Sequence, residues 1–62
     1  MLASVRKLVL ERQDARIMVI QAEFEIGYAR AGWMLDALEE EGVVGPYNGS
    51  KARRVLMPAP GA

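Results

Sequence analysis

Three stretches of the chain carry apolar residues at spacings of three and four, the period of a helix that buries one face. The first runs from Leu2 to Arg12 and the second from Ile17 to Phe24. The third and longest runs from Gly27 to Gly42, with a glycine at each end. The pattern therefore predicts three helices, separated by a polar break at residues 13–16 and by a short turn at residues 25–27.

The two connections decide how these helices are joined. β-Branched residues at the start of the second stretch leave open a brief extended segment at Arg16 and Ile17 before the helix begins. In the second connection, Gly27 suits a positive φ and Ile26 can be buried between two helices. A helix pair joined by about three to four residues that include a glycine is typical of a helix-turn-helix.

The third predicted helix has two unequal faces when its residues are placed at 100° per step. Its predicted core face carries Tyr28, Ala31, Met34, Leu35 and Leu38. Its opposite face carries Ala29, Arg30, Trp33, Asp36, Ala37 and Glu40. Trp33 therefore stands on a face that should be wet, among small residues. A large aromatic there is either a contact residue or a cover for a segment outside this helix.

The remainder of the chain predicts a β-hairpin. Gly42 is suited to end the third helix, and Val43–Tyr47 has the pattern of a strand that Pro46 restricts to an edge or an end. Residues 48–51 contain Asn-Gly, a strong hairpin signal, and residues 52–57 form the returning strand, ended by Pro58. The predicted fold is α+β: a winged helix-turn-helix with three helices and a C-terminal β-hairpin wing, one domain over residues 1–62 with a flexible tail at 58–62.

Composition narrows the chemistry. The chain has no cysteine and no histidine, which removes disulfides, thiol chemistry, zinc fingers and imidazole acid–base catalysis. No apolar run approaches the roughly 20 residues that cross a bilayer, so we expect a cytoplasmic segment without membrane contact. Glu39, Glu40 and Glu41 project in different directions from a helix, so they predict a solvated helix end and no metal site.

Charge is balanced overall and uneven along the chain. Net charge is zero, which argues against a simple electrostatic nucleic-acid binder. Residues 28–42 hold one arginine against four acidic residues, a net of −3, whereas residues 43–62 hold three cations and no acid, a net of +3. A dipolar surface of this kind can present its positive side to phosphate.

Two sequence motifs resemble a known family. Residues 21–32, QAEFEIGYARAG, resemble the helix-turn-helix of the gamma domain of FtsK/SpoIIIE DNA translocases, which typically reads Q-x-x-[F/L]-x-I-G-Y-x-R-A. Residues 42–46, GVVGP, and 49–53, GSKAR, followed by a short apolar strand and Pro58, look like the wing of that family. The resemblance extends from about Ile17 to Pro60.

The resemblance implies a function and partners. Such domains are C-terminal modules of hexameric, ATP-driven, membrane-anchored pumps of double-stranded DNA. They read short, polar, G-rich octamers and thereby orient the loading of the motor, and some members activate a tyrosine recombinase. The chain has no G-x-x-x-x-G-K-[S/T] loop, so it is expected to read DNA, beside other copies of itself in a parent hexamer, without acting as an ATPase. No cofactor is expected.

The predicted DNA contacts lie on the third helix, on the wing and at the start of the helix-turn-helix. Tyr28 is included although helical periodicity also places it on the core face. The predicted set is Gln21, Tyr28, Ala29, Arg30, Trp33, Ser50, Lys51, Arg53 and Arg54.

The outer face departs from the family pattern, which commonly has Asn, Arg and Glu where this chain has Ala29, Trp33 and Asp36. Arginine reads guanine through a bidentate bond that tryptophan cannot make. Either this member reads a different sequence, or Arg30 and the wing contact guanine, or DNA specificity is weaker. The alternative functions are a protein-interaction module anchored by Trp33, which docks a recombinase or another domain, and a small winged-helix transcriptional regulator.

Overall fold

The computed structural model describes residues 1–49 and 52–61. The elements follow the order α1 (Leu2–Arg12), β1 (Ala15–Arg16), α2 (Ile17–Phe24), α3 (Tyr28–Glu40) and β2 (Ala52–Arg53). The first two helices have the predicted bounds, and the third lies within the predicted stretch. Three helices with a two-stranded antiparallel sheet form the predicted winged-helix fold.

The core is built from one face of each helix and the segment after α3. Aliphatic side chains of α1, α2 and α3 meet there, with Val43 and Val44 closing one side. The buried set is Val5, Val9, Ala15, Ile17, Ile20, Ala31, Leu35, Leu38, Val43 and Val44. Taken over the whole residue, main chain included, none of the polar or charged residues among 1–49 and 52–61 is buried. The predicted core face of α3 is confirmed at Ala31, Leu35 and Leu38, and Met34 packs against the cluster.

The predicted polar break after α1 is wrong in one respect. Ala15 is only 2% exposed and forms, with Arg16, the short strand β1. The alternative of a brief extended segment before α2 is therefore confirmed, one residue earlier than predicted. The Asp14 carboxylate accepts the Arg16 backbone N–H at 3.0 Å and the Arg16 guanidinium at 2.8 Å, which fixes the entry into this strand.

The turn between α2 and α3 gives the tight helix-turn-helix connection, but not through the predicted glycine. Glu25 ends α2 in the left-handed conformation, with φ 51° and ψ 48°. Gly27 is extended, with φ −73°, and acts as the N-cap of α3, so the expectation of a positive φ at Gly27 is wrong. Ile26 packs against the core as expected.

The end of α3 is a Schellman motif, in which two backbone N–H groups beyond the helix return to its last carbonyls. Gly42 donates to the Glu39 carbonyl at 3.0 Å, and Val43 donates to the Leu38 carbonyl at 2.9 Å. Gly42 adopts φ +79°, a conformation that glycine reaches without steric cost. The prediction that Gly42 ends the helix is confirmed, and the motif turns the chain so that Val43 enters the core.

The wing differs in detail from the predicted hairpin. Among the described residues, its two arms pair at the Val44–Val55 bridge, flanked by hydrogen bonds from Gly45 to the Arg54 carbonyl and from Leu56 to the Val43 carbonyl, both 2.8 Å. The strand β2 pairs instead with β1 in antiparallel register, Ala15 opposite Arg53 and Arg16 opposite Ala52. The predicted strands at 43–47 and 52–57 are therefore too long. Pro46 has no N–H to donate, which limits the first arm.

No helix among the described residues has both the length and the apolar character that crossing a bilayer requires.

Candidate nucleic-acid interface

The outer face of α3 is open to solvent. Ala29 and Arg30 are exposed in its first turn, and Trp33 is 69% exposed one turn later. The opposite face carries the buried side chains Ala31, Leu35 and Leu38, which hold the helix against α2 and α1. Trp33 is therefore largely open to solvent, and its role as a contact residue stays a prediction.

Tyr28 lies outside the core, contrary to the helical-period prediction, and is 62% exposed. It is the first residue of α3. With Tyr47, it lines a shallow cavity of about 150 Å³ between α3 and the wing. Gly32, Leu35 and Ile17 also line this cavity, and Asp36 and Arg53 complete the lining.

Neighbouring arginines of the wing point in different directions. The Arg53 side chain is only 9% exposed and forms ion pairs with Asp36 and Glu39 of α3. Arg54 is exposed and has no ion pair with any residue of 1–49 and 52–61. Successive side chains of a strand point to opposite faces, which explains the difference.

The other predicted contacts have mixed positions. Arg30 is exposed and has no ion-pair partner in the part of the chain that the structure describes. Gln21 is half-buried on α2. Ser50 and Lys51 lie outside the described residues. Four of the predicted contacts are thus exposed on α3: Tyr28, Ala29, Arg30 and Trp33.

The sequence predicted a solvated acidic end of α3, but two of its three glutamates form ion pairs. Glu39 accepts a bond from Arg53 at 3.3 Å, and Glu41 accepts two bonds from Arg6 of α1, at 2.7 and 2.9 Å. The hydrogen bonds and charge of Arg6 lower the pKa of Glu41. Within residues 1–49 and 52–61, no three acidic, histidine or cysteine side chains are placed to hold a metal ion.

Two features of this surface were missed by sequence reasoning. Tyr47 was assigned only to a strand, yet it is 67% exposed beside α3. Arg53 was treated as a surface cation, although strand alternation places it on the same side as Val55, which packs against the core. Asp36 and Glu39, three residues apart on one helix face, supply the matching carboxylates.

Comparison with known proteins identifies close relatives of this chain. The model of a family described as Ftsk gamma domain matches residues 1–58. A DNA translocase FtsK of Oceanobacillus iheyensis is 50% identical over 54 residues, which is 87% of this chain and 7% of that protein. The DNA translocase SpoIIIE of Bacillus subtilis is 51% identical over 51 residues, 82% of this chain and 6% of that protein.

A DNA translocase FtsK of Listeria monocytogenes is 51% identical over 49 residues, 79% of this chain and 6% of that protein. The chain thus spans less than a tenth of the length of these relatives.

Proposed function

The chain belongs to the FtsK gamma domain family, and we propose that it binds double-stranded DNA through α3 and the wing, with a preference for particular sequences. The observation that carries this proposal is the outer face of α3, where Ala29, Arg30 and Trp33 are exposed on the second helix of a helix-turn-helix. In this motif the second helix enters the major groove, and its N-terminal residues contact base edges.

Phosphate contacts are proposed for the cations beside that helix. Arg30 and Arg54 are exposed and have no ion pair among the described residues, so no internal bond must be broken before they meet phosphate. Lys51 and Ser50 remain proposed contacts on the basis of sequence. Such contacts set the register of a protein on the duplex but carry no base information.

Base reading is proposed for the Ala29–Trp33 turn of α3. Trp33 offers one N–H donor and a flat apolar surface, and it lacks the paired donors with which arginine grips guanine. We therefore expect the preferred DNA sequence to differ from that of arginine-bearing family members at the position that Trp33 meets.

The role within a longer protein is also proposed. The relatives are named DNA translocases, and this chain matches a small part of each. We propose that the domain serves an ATP-driven, membrane-anchored hexameric motor and orients its loading on polar G-rich octamers, next to other copies of itself. Activation of a tyrosine recombinase is a further proposed role.

A protein-interaction module is the second candidate function. It is favoured by Trp33, because an aromatic that is 69% exposed is typical of the anchor in a protein interface. The two functions differ in salt dependence: phosphate contacts make affinity fall steeply with salt, whereas an interface centred on one aromatic depends little on it.

The testing experiment is a titration of a labelled G-rich octamer duplex and a scrambled duplex at two salt concentrations, read by fluorescence anisotropy. The salt slope is the steepness with which the logarithm of affinity falls with the logarithm of salt concentration. Arg30→Gln and Arg54→Gln are each expected to lower it by about 0.9, the value for one lost phosphate contact. Lys7→Gln removes the same charge from the exposed side of α1 and should leave the slope unchanged. Equal slopes for all four proteins would contradict the proposal.

A further inference from the structure

Arg53 connects three elements of the domain. Its backbone lies in β2 opposite Ala15 of β1, and Arg54, the next residue, receives the Gly45 hydrogen bond that closes the wing. Its side chain crosses to α3, where Nη2 donates to Asp36 Oδ1 at 2.6 Å and Nη1 donates to Glu39 Oε1 at 3.3 Å. The wing is thereby tied to the helix that we propose enters the DNA groove.

The geometry leaves Arg53 poorly placed for a phosphate. Its side chain is 9% exposed, against 64% for Asp36 and 42% for Glu39. Two nitrogens of the guanidinium are already bonded to carboxylates that are more exposed than the guanidinium itself. A phosphate would have to displace both carboxylates and approach against their negative charge.

Pairing with Arg53 also offsets charge where DNA would approach. The segment 28–42 carries a net charge of −3, and two of its four acids are the partners of Arg53. Unpaired carboxylates at this place would repel phosphate across the same helix.

We propose that Arg53 is a positioning residue for DNA binding: by holding Asp36 and Glu39 it sets the wing against α3 and offsets the charge of the two carboxylates, and it makes no phosphate contact itself. This inference rests on the proposed DNA-binding function. It separates the roles of two adjacent arginines, since Arg54 is the one that meets phosphate.

A mutant cycle tests this assignment on the whole 62-residue chain. Arg53→Met is made in the natural background and in the neutralised background Asp36→Asn/Glu39→Gln, and duplex affinity is measured at two salt concentrations. Arg53→Met should weaken binding about tenfold in the natural background and less than about twofold in the neutralised one, because contacting residues are energetically coupled. Arg54→Met is the matched control and should cost the same factor in both backgrounds.

Arg53→Lys keeps the charge and is a milder change than Arg53→Met. Circular dichroism checks that each variant is folded. A lysine retains a point charge for phosphate but not the fork that spans two carboxylates. If Arg53 is a positioning residue, Arg53→Lys should lose most of the duplex affinity that Arg53→Met loses. A phosphate role predicts that it keeps the affinity.

Each remaining outcome has a definite meaning. Equal losses in the two backgrounds, or a larger loss in the neutralised one, would overturn the positioning role, as would unchanged affinity of Arg53→Met in the natural background. If the unaltered chain binds no duplex at either salt concentration, the proposed function itself fails and this inference fails with it.

Discussion

Arg6 and Glu41, which are 35 residues apart in the chain, form a two-pronged ion pair. Arg6 Nε donates to Glu41 Oε1 at 2.7 Å, and Arg6 Nη2 donates to Glu41 Oε2 at 2.9 Å. The pair connects α1 to the residue that caps α3. Its hydrogen bonds lower the pKa of Glu41 and raise the pKa of Arg6.

This pair predicts a pH dependence of folding. The pKa of Glu41 is lower in the folded chain than in the unfolded one, so its stabilisation is full above the ordinary glutamate value of about 4.3. The stabilisation is lost as pH falls through the folded pKa. Asp14, whose pKa is lowered mainly by the Arg16 side-chain hydrogen bond, acts in the same direction. Urea unfolding between neutral pH and about pH 3 measures the effect.

The matched variants for this prediction are Glu41→Gln and Glu40→Gln. Glu41→Gln should flatten the loss of stability in acid, because the carboxylate that pairs with Arg6 is gone. Glu40 is exposed and belongs to no ion pair of the described residues, so its variant should follow the unaltered protein. Identical acid profiles for all three proteins would show that the Arg6–Glu41 pair does not stabilise the fold in solution.

Two glycines of the α3 region should respond to alanine in opposite directions. At Gly32, inside the helix, an added Cβ would meet only Ile17 Cδ1 at 3.9 Å, an ordinary contact. Gly32→Ala should stabilise the domain by about 0.8–1 kcal/mol, the difference in helix propensity. At Gly42, φ is +79°, so Gly42→Ala should destabilise by about 1–2 kcal/mol.

Thermal and urea unfolding of these two variants measure the difference. The same chemical change at both positions makes each the control for the other. If both variants lose stability, the backbone at Gly32 cannot accept a side chain. If both gain stability, the Schellman turn at Gly42 is not formed.

The helices were predictable from the sequence because each buries one face with a regular period. Val5 and Val9 in α1 and Ile17 and Ile20 in α2 fall on that period and are buried. The sheet was not predictable in the same way. Its pairing of Ala15–Arg16 with Ala52–Arg53 joins two-residue segments distant in sequence, and segments so short have no usable alternation.

Local conformation explains the other differences. The turn before α3 uses Glu25 in the left-handed region although a glycine stands two residues later, a conformation that is uncommon for residues other than glycine and that residue preference therefore does not predict. Tyr28 falls on the core side of the helical wheel, yet it is the first residue of α3 and is 62% exposed. A helical wheel gives the direction in which a side chain points around the helix axis. It does not show whether another element lies beside the helix at that position along the axis.

The part of the candidate site that depends on the exposed face of α3 was predictable from the sequence. The part that depends on ion pairs between the wing and α3 was not. The exposure of Ala29, Arg30 and Trp33 follows from the period of α3. The ion pair between Arg53 and Asp36 depends on how the wing folds back, which composition cannot give. Net charge by segment therefore overstated how much of the basic wing is available to phosphate.

Replacing Trp33 by arginine should change DNA discrimination. Arginine at this exposed position can make the bidentate bond to guanine, and such a pair is worth about 1–3 kcal/mol of discrimination against the wrong base. We expect Trp33→Arg to increase the preference for a G-rich octamer over a scrambled duplex, by anisotropy titration. Trp33→Lys is the control, since it adds the charge without the planar fork and should strengthen binding to both duplexes alike.

Equal gains for the arginine and lysine variants would show that charge alone acts at this position and that the side chain does not meet a base edge.

The most direct test of DNA binding through α3 uses Trp33 itself, the only tryptophan of the chain. Its fluorescence reports on one point of the proposed interface, where the side chain is 69% exposed. Acrylamide quenching is measured on the free chain and on the chain saturated with duplex, with saturation followed through labelled DNA. We predict that bound DNA shields Trp33 from the quencher. A bound duplex that leaves Trp33 as accessible as in the free chain would contradict the account.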